Sequence, residues 1–372
     1  MIELPTKEHA TYGGFEMPKS GWVLVEALEA TRLTVVARSN EPRSRTSFER
    51  AVQDPLGGSK GPGTEAARWL EASIAELRRQ PAATSINHTL RNGQTVAARL
   101  IPVVGPDGVL HGVQVWIGAD NESPSTPPMS AFAFTWDSHQ RLADIPAALA
   151  NGQPDTRLTA PEIFRFVEPV DAFALIKALL THEPGSYWEG PVSMTFHKQQ
   201  TPAQLLMVAG PTDETSHHWR GLIFQTTSAS SGAPSLEAAA LAAIPRMSQV
   251  HMALVDIAKM RLLRWITDPM SDVQWKGQVD QRDTPHPDDV KRIFEAATDV
   301  FTGKTETGFV EGIRLRRRGG GWVVTDGTGA IMRTSPDAPL LGVVQFRVTG
   351  YSDEPDPVEP TDQGHPGLSD PT

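Results

Sequence analysis

Apolar positions along this chain form short runs of strand period, interrupted three times by a stretch of helical period. The first block opens with two strand-like runs, Trp22–Leu28 and Leu33–Ala37. A Gly/Pro/Ser-rich loop, Pro55–Gly63, leads to a helix expected over Thr64–Arg79. Ala66, Trp69, Leu70, Ile74 and Leu77 share one face of it, and Thr64 is expected as its N-cap. Three strands follow, Thr84–Leu90, Thr95–Val104 and Val109–Ile117. Asn92-Gly93 joins the first two, a dipeptide suited to the positive φ angles of a tight hairpin. Gly105–Gly108 turns the chain into the last.

The same order returns twice. Phe132–Trp136 and a short second run open the second block. Pro169 is expected at the first position of a helix, where its missing N–H is no loss, with Asp171 in the first turn. Phe173, Ile176 and Leu180 mark the apolar face, and strands at Trp188–Phe196, Gln204–Val208 and Trp219–Thr226 complete the block. In the third block, Met252–Ile257 and Leu262–Ile266 form the opening hairpin. A helix from Pro287 carries Asp288 and Asp289 in its first turn and Val290, Ile293, Phe294, Ala297 and Phe301 on one stripe. Strands at Glu311–Arg317, Trp322–Val324 and Leu341–Val348 follow.

Each block closes on a strand led by glycine, Gly112, Gly221 and Gly342, lying 50 to 55 residues after Pro62, Pro169 and Pro287. These glycines are 109 and 121 residues apart, the period of a small domain and not of a solenoid repeat. The expected architecture is α+β: three tandem modules over residues 14–120, 129–228 and 236–350, each an antiparallel sheet with a helical insert, joined by short linkers. The linkers are Asn121–Pro128 and Thr227–Ser235, and alanine-rich Leu236–Ala243 is expected as a helix leading into the third module. Residues 351–372 are acidic and proline-rich, with too little apolar surface to fold, and are expected to be disordered.

An antiparallel sheet with helices between its second and third strands, ending on a hairpin whose last strand opens with glycine, resembles the PAS fold and its relative the GAF fold. Pro169–Phe173 and His286–Val290 look like the proline–aspartate helix start of PAS domains. Gly105–Gly112 looks like the turn into the last PAS strand. The likeness spans residues 14–350 and rests on the three-fold agreement in spacing. As a whole the chain resembles an actinobacterial, mycobacterial-type PAS-GAF-PAS sensory protein without an output domain, the middle module reading equally as PAS or GAF. The resemblance implies sensing of a small molecule or a protein, without catalysis. It also implies pairing of modules through helices or sheet faces, which allows a homodimer.

Charge and composition narrow the field further. A net charge of −10 argues against nucleic acid, whose phosphates need a basic face. No apolar run approaches the ~18 residues of a membrane helix, and Met1–His9 lacks the basic and apolar regions of a signal peptide. A cytoplasmic protein without membrane insertion is therefore expected. Cysteine is absent, which excludes disulfides, thiolate metal sites and cysteine nucleophiles. Set beside the resemblance, it also excludes flavin–cysteinyl adducts and thioether-linked bilins.

The candidate chemistry is sparse. His182 and His286 flank predicted helices, where haem-binding PAS domains carry an axial histidine, but read better as a surface-turn residue and a helix cap. His217 and His218 with Asp213 and Glu214 fall in one turn, whereas zinc sites draw on two elements. Gly303-Lys304-Thr305 follows a helix instead of opening one, and position 298 is threonine where a phosphate loop needs glycine. Gly57–Gly63 reads as a flexible loop. Arg314, Arg316 and Arg317 could hold an anion, although such a run is more often the charged outer face of an edge strand. Strand alternation places Trp116 with Gln114 opposite Val113, Val115 and Ile117, a candidate docking face. These five residues form the expected interaction surface.

A non-enzymatic sensory scaffold follows, acting through protein–protein contacts with a partner the sequence does not identify, and with no cofactor. The alternative is a small-molecule receptor, its unidentified ligand held in one module. An enzyme built on Asp256 or Glu189 with a nearby histidine is the remaining class, with no pair of groups at a mechanistic spacing to recommend it.

Overall fold

The computed structural model describes residues 21–29, 32–53, 60–120, 122–126, 128–149, 156–196, 199–211, 218–227, 250–257, 261–276, 282–332 and 340–357. Its elements fall into three sheets. The first contains β1 (Val23–Glu26), β2 (Thr34–Arg38) and β3 (Glu41–Ser47). Helices α1 (Phe48–Gln53) and α2 (Lys60–Arg79) come next, then β4 (Thr84–Thr89), β5 (Thr95–Val104) and β6 (Leu110–Ala119). This sheet is antiparallel, ordered β3-β2-β1-β6-β5-β4.

The second sheet begins with β7 (Ala131–Asp137), β8 (Leu142–Asp144) and β9 (Arg157–Thr159), followed by α3 (Ala160–Phe166), β10 (Val167–Pro169) and α4 (Ala172–Leu180). It ends with β11 (Tyr187–Phe196), β12 (Gln199–Ala209) and β13 (His218–Gln225), and its order is β10-β11-β12-β13-β7-β8-β9. The third comprises β14 (His251–Asp256), β15 (Arg261–Trp265), α5 (Pro287–Phe301), β16 (Gly308–Arg316), β17 (Trp322–Met332) and β18 (Leu341–Ser352), ordered β15-β14-β18-β17-β16. By internal contacts the chain divides into two compact units. One is Met1–Thr135 with Pro202–Val208 and Arg220–Ala229; the other is Trp136–Thr201 with Ala209–Trp219 and Ser230–Thr372. The first sheet lies in the first unit and the third sheet, with α5, in the second.

Without the accessory strands β3, β9 and β10, all three sheets share one order: second strand, first, last, next to last, third. The repeat read from the sequence therefore has a structural cause, because the glycine-led strand is central in every sheet. Central strands are crowded on both faces, and the three glycines show it. A Cβ on Gly112 would lie 3.0 Å from the Val25 carbonyl oxygen. One on Gly221 would enter the Phe134 ring at 2.1 Å, and one on Gly342 would meet Ile257 Cδ1 at 2.8 Å.

Several elements differ from expectation, each for a local reason. β3, of sequence EPRSRTS, has no apolar period because it is an edge strand with mostly exposed or half-buried positions. Pro169 does not open a helix. It ends β10 opposite Val192, and α4 starts at Ala172 with Asp171 as N-cap accepting from the Ala174 N–H at 2.9 Å. The buried residues of α4 are Leu175 and Ile176, while Phe173 is 37% exposed. α3 has no counterpart in the apolar pattern, yet a capping signal precedes it: the Glu162 carboxylate accepts from both the N–H and hydroxyl of Thr159 at 2.8 Å. The acidic tail was expected to be disordered from residue 351, but β18 runs through Ser352, and Asp353, Glu354 and Asp356 make ion pairs. Leu236–Ala243, Asp213, Glu214, His217 and 358–372 lie outside the described residues.

Candidate functional site

A cavity of about 370 Å³ opens between α5 and the inner face of the third sheet, with Arg141, Thr159 and Pro161 of the second module also lining it. Pro287 and the first-turn carboxylates start α5, and His286 caps it, its Nδ1 accepting from the Asp288 N–H at 3.2 Å. Asp289 then fastens the helix to β16. Its carboxylate accepts from Arg314 N and Nε, both at 2.9 Å, and from Arg292 Nη1 at 3.0 Å. Burial pushes the Asp289 pKa up, but the hydrogen bonds from Arg314 and Arg292 outweigh it and hold it below the ordinary carboxylate value. So anchored, α5 turns Val290, Ile293, Ala297 and Val300 toward the cavity, with half-exposed Phe294 at its rim.

The floor of the cavity is short of side chains. Gly308, Gly327, Gly329 and Gly342 all line it, beside Val310, Ile313, Val344 and Phe346. At Gly327 packing explains the choice, since a Cβ would approach Ile313 Cδ1 to 2.7 Å. At Gly329 it does not, for a Cβ there would sit 3.5 Å from Val344, an ordinary contact. Trp275 also lines the cavity, held edge-on to Trp265 with ring centroids 5.4 Å apart.

The polar lining residues are Arg141, Thr159, Arg261, Lys276, Asp283 and Thr284, and the Thr159 hydroxyl is already donated to Glu162. Arg141 sits in the turn before β8 at φ 59°, a left-handed conformation that a side chain disfavours. It is held there by its backbone N–H to Asp137 O at 2.8 Å and by a buried guanidinium. Nη2 pairs with Asp256 Oδ2 at 3.0 Å, and Nη1 donates to Leu179 O at 3.1 Å. Lys276 pairs with Asp283 at 2.6 Å. Arg261 is different: among the described residues its half-buried guanidinium makes no hydrogen bond or ion pair. Burial lowers the Arg261 pKa, opposed by the more distant charges of Asp283 and Asp256.

The residues singled out in the sequence lie elsewhere. Trp116 and Gln114, the candidate docking face, are both buried, the Trp116 indole lying over Gly118. The arginine run does lie on an edge strand, yet its charges are taken up by the chain itself. Arg314 pairs with Asp289 and Glu354, Arg316 with Asp356 and Arg317 with Asp353. Arg316 also stacks over Trp322 and Arg317 over Tyr351. No guanidinium of that run is left to grip an anion. His286 packs edge-on against Trp322 as well as capping α5, and half-buried His182 lies against Trp219. Asp256 faces Arg141, and Glu189 accepts from the Tyr187 hydroxyl. Among the described residues no group of three or more His, Asp or Glu could hold a metal, and no helix is long and apolar enough to cross a membrane.

The pattern of apolar residues did not reveal the cavity, because a glycine in a strand marks a tight approach as readily as an open space. The density of glycine in β17 and at the starts of β16 and β18 was the available signal.

Residues 21–128 match the Rv3651-like N-terminal domain and residues 238–352 the Rv3651-like C-terminal domain. An uncharacterised protein from Mycobacterium tuberculosis has a crystal structure similar to this one. Its TM-score is 0.69 at 21% identity, over 88% of this chain and 96% of that one, a likeness of fold. An RNA-binding light-oxygen-voltage receptor overlaps far less, with TM-score 0.22 at 10% identity over 59% of this chain and 96% of that one. So does an extracellular ligand-binding receptor from Desulfohalobium retbaense, with TM-score 0.16 at 12% identity over 56% and 30%. At those scores neither bears on the fold here. No curated protein matches the chain.

Proposed function

We propose that this chain, which carries both the N- and C-terminal Rv3651-like domains, is a sensory protein of PAS/GAF-type modules whose third module is a small-molecule receptor. Support for the module type comes from the strand order common to the three sheets and from helices placed between the second and third strands of each. The observation that carries the receptor reading is the cavity. Its volume of about 370 Å³ falls within the range of small-molecule sites, roughly 300–1,000 Å³. Its walls are apolar and its polar groups few.

A scaffold acting only through its surface has no use for such a space. Left unfilled by side chains, it forgoes packing worth up to about 9 kcal/mol at ~24 cal/mol per Å³, comparable with the whole stability of a domain. Opening at the rim reduces that figure, but Gly329 remains a site where a Cβ would make only ordinary contacts and none is present.

The test is binding of Nile red, an uncharged polarity-sensitive dye, to the full chain and to Gly329→Leu. The wild type is expected to enhance dye emission at one site, with energy transfer from Trp275. Gly329→Leu is expected to lose that site while keeping its near-UV circular dichroism. Equal dye binding by the folded variant would place the site elsewhere and overturn the proposal.

A further inference from the structure

The receptor proposal leaves the ligand unspecified, and resting on it, the polar end of the cavity narrows the chemistry. Five ionisable groups meet there among the described residues. Arg141 and Asp256 neutralise one another, as do Lys276 and Asp283, and Arg261 remains. A guanidinium drawn into an apolar cavity loses hydration, and without a hydrogen-bonded counter-charge that loss is only partly offset by charges farther away. The more distant carboxylates Asp256 and Asp283 are each already bonded to another cation.

A guanidinium presents its donors as a planar fork, and the group that satisfies two of them at once is a carboxylate or a similar oxyanion. One surplus positive charge matches one negative charge. The rest of the space, under Ile293 and Ala297 and over Gly327 and Gly329, offers no polar partner and accepts only an apolar body. We infer that the third module binds a monoanionic amphiphile, an aliphatic or aromatic monocarboxylate whose head group is gripped by Arg261 and whose apolar part lies along the glycine floor beneath α5.

The immediate neighbours sharpen the choice. Thr284 Oγ1 already accepts from the Lys276 N–H at 2.8 Å, so its hydroxyl proton is available as a further donor toward the same head group. A second negative charge would meet no second unpaired cation among the described residues, which selects against dicarboxylates and phosphomonoesters. A neutral lipid would leave Arg261 without a hydrogen-bonded counter-charge. Arg261 is thus a specificity-determining residue for charge, while Gly329 governs room for the apolar part.

The experiment is competition with Nile red at pH 7.5 by decanoate and by 1-decanol, which share a chain and differ in charge. It is run on the wild-type full chain and on Arg261→Met and Arg261→Lys. The wild type is expected to favour decanoate by about tenfold or more, the ratio of one charge-assisted hydrogen bond. Arg261→Met, which removes the guanidinium and keeps the stem, is expected to fold and to lose the preference, decanoate and decanol then competing alike. Arg261→Lys is expected to retain an intermediate preference, since a single ammonium cannot form the fork.

Equal competition by acid and alcohol in the wild type would overturn the assignment of ligand charge while leaving the receptor intact. A preference surviving in Arg261→Met would overturn the role of Arg261. If the wild type binds the dye and Gly329→Leu does not, but neither ligand competes, an amphiphile of this kind is excluded. Loss of the receptor itself is read separately, from dye binding that Gly329→Leu leaves unchanged.

Discussion

The first and third modules are built on the same strand order, with a helix laid on the sheet, yet one is filled and the other hollow. In the first, α2 lays Ala66, Ala67, Leu70, Ile74 and Leu77 against Val96, Ala98 and Leu100 of β5 and Val113, Val115 and Ile117 of β6. Among the described residues this core contains twenty buried apolar residues, whereas the cluster of the third module contains nine. The difference is made strand by strand. Where β5 points Val96, Ala98 and Leu100 inward, the corresponding strand β17 points Val323, Thr325, Gly327 and Gly329. The helices differ in step, since α5 buries Val300 and leaves Phe294 46% and Phe301 60% exposed. One fold has been used once for packing and once for volume, and the choice turns on a few inward positions of one strand.

That contrast can be broken by mutation. Leu70→Ala in the filled module is expected to cost about 2–5 kcal/mol, as a fully buried leucine. Ile293→Ala beside the cavity removes a side chain that already borders open space, and is expected to cost about 1 kcal/mol or less. Urea denaturation of both variants measures the gap, and equal losses would mean that the two cores are equally packed. Asp289→Ala should fall between them, at about 2 kcal/mol, because it unties α5 from β16 but frees two arginines that already reach water. Its signature is loss of Nile red binding along with stability. Gly329→Leu is expected to move the third module toward the first, raising stability by about 1 kcal/mol as it fills the floor. A destabilised but folded Gly329→Leu would show that the floor has no room for a side chain.

Much of this contrast was legible in the sequence, and part of it was not. The filled module announced itself, since the apolar face of α2 and the alternation of β5 and β6 survive intact in its core. The stripe of α5 was equally regular, with Val290, Ile293, Phe294 and Ala297, but periodicity records only that a face is apolar. It does not say whether that face meets side chains or a cavity. Arg261 stands in a strand of alternating character and became visible only when the fold brought Asp256 and Asp283 near it. The arginine run misled for the opposite reason. Its acidic partners, Asp353, Glu354 and Asp356, are 36 to 40 residues away in a stretch that composition alone marked as unfolded. Trp116 followed strand alternation correctly and is nonetheless buried, because alternation assigns a face without saying what covers it.

The smallest effect separates the two modules by pH. Asp289 and Asp107 both carry lowered pKa values, but only Asp107 is tied to a histidine. In the turn before β6, Asp107 Oδ1 lies 3.1 Å from His111 Nε2 and Oδ2 accepts from Arg220 Nε at 2.9 Å, while His111 Nδ1 lies 3.0 Å from Gly221 O. Burial raises the Asp107 pKa, but hydrogen bonding and charge from His111, the Val109 N–H and Arg220 together bring it down to about 2 from 3.8. The folded value is below the unfolded one, so this pair stabilises the protein above pH 3.8. That contribution is lost as pH falls from 3.8 toward 2, when Asp107 takes up a proton in the folded state. Asp107 is partly exposed, so screening leaves about 1 kcal/mol at neutral pH. Thermal unfolding from pH 6 to pH 2 should show wild type and Asp107→Asn separated at the upper end and converging at the lower. A constant separation would mean that the carboxylate is held by shape and not by charge.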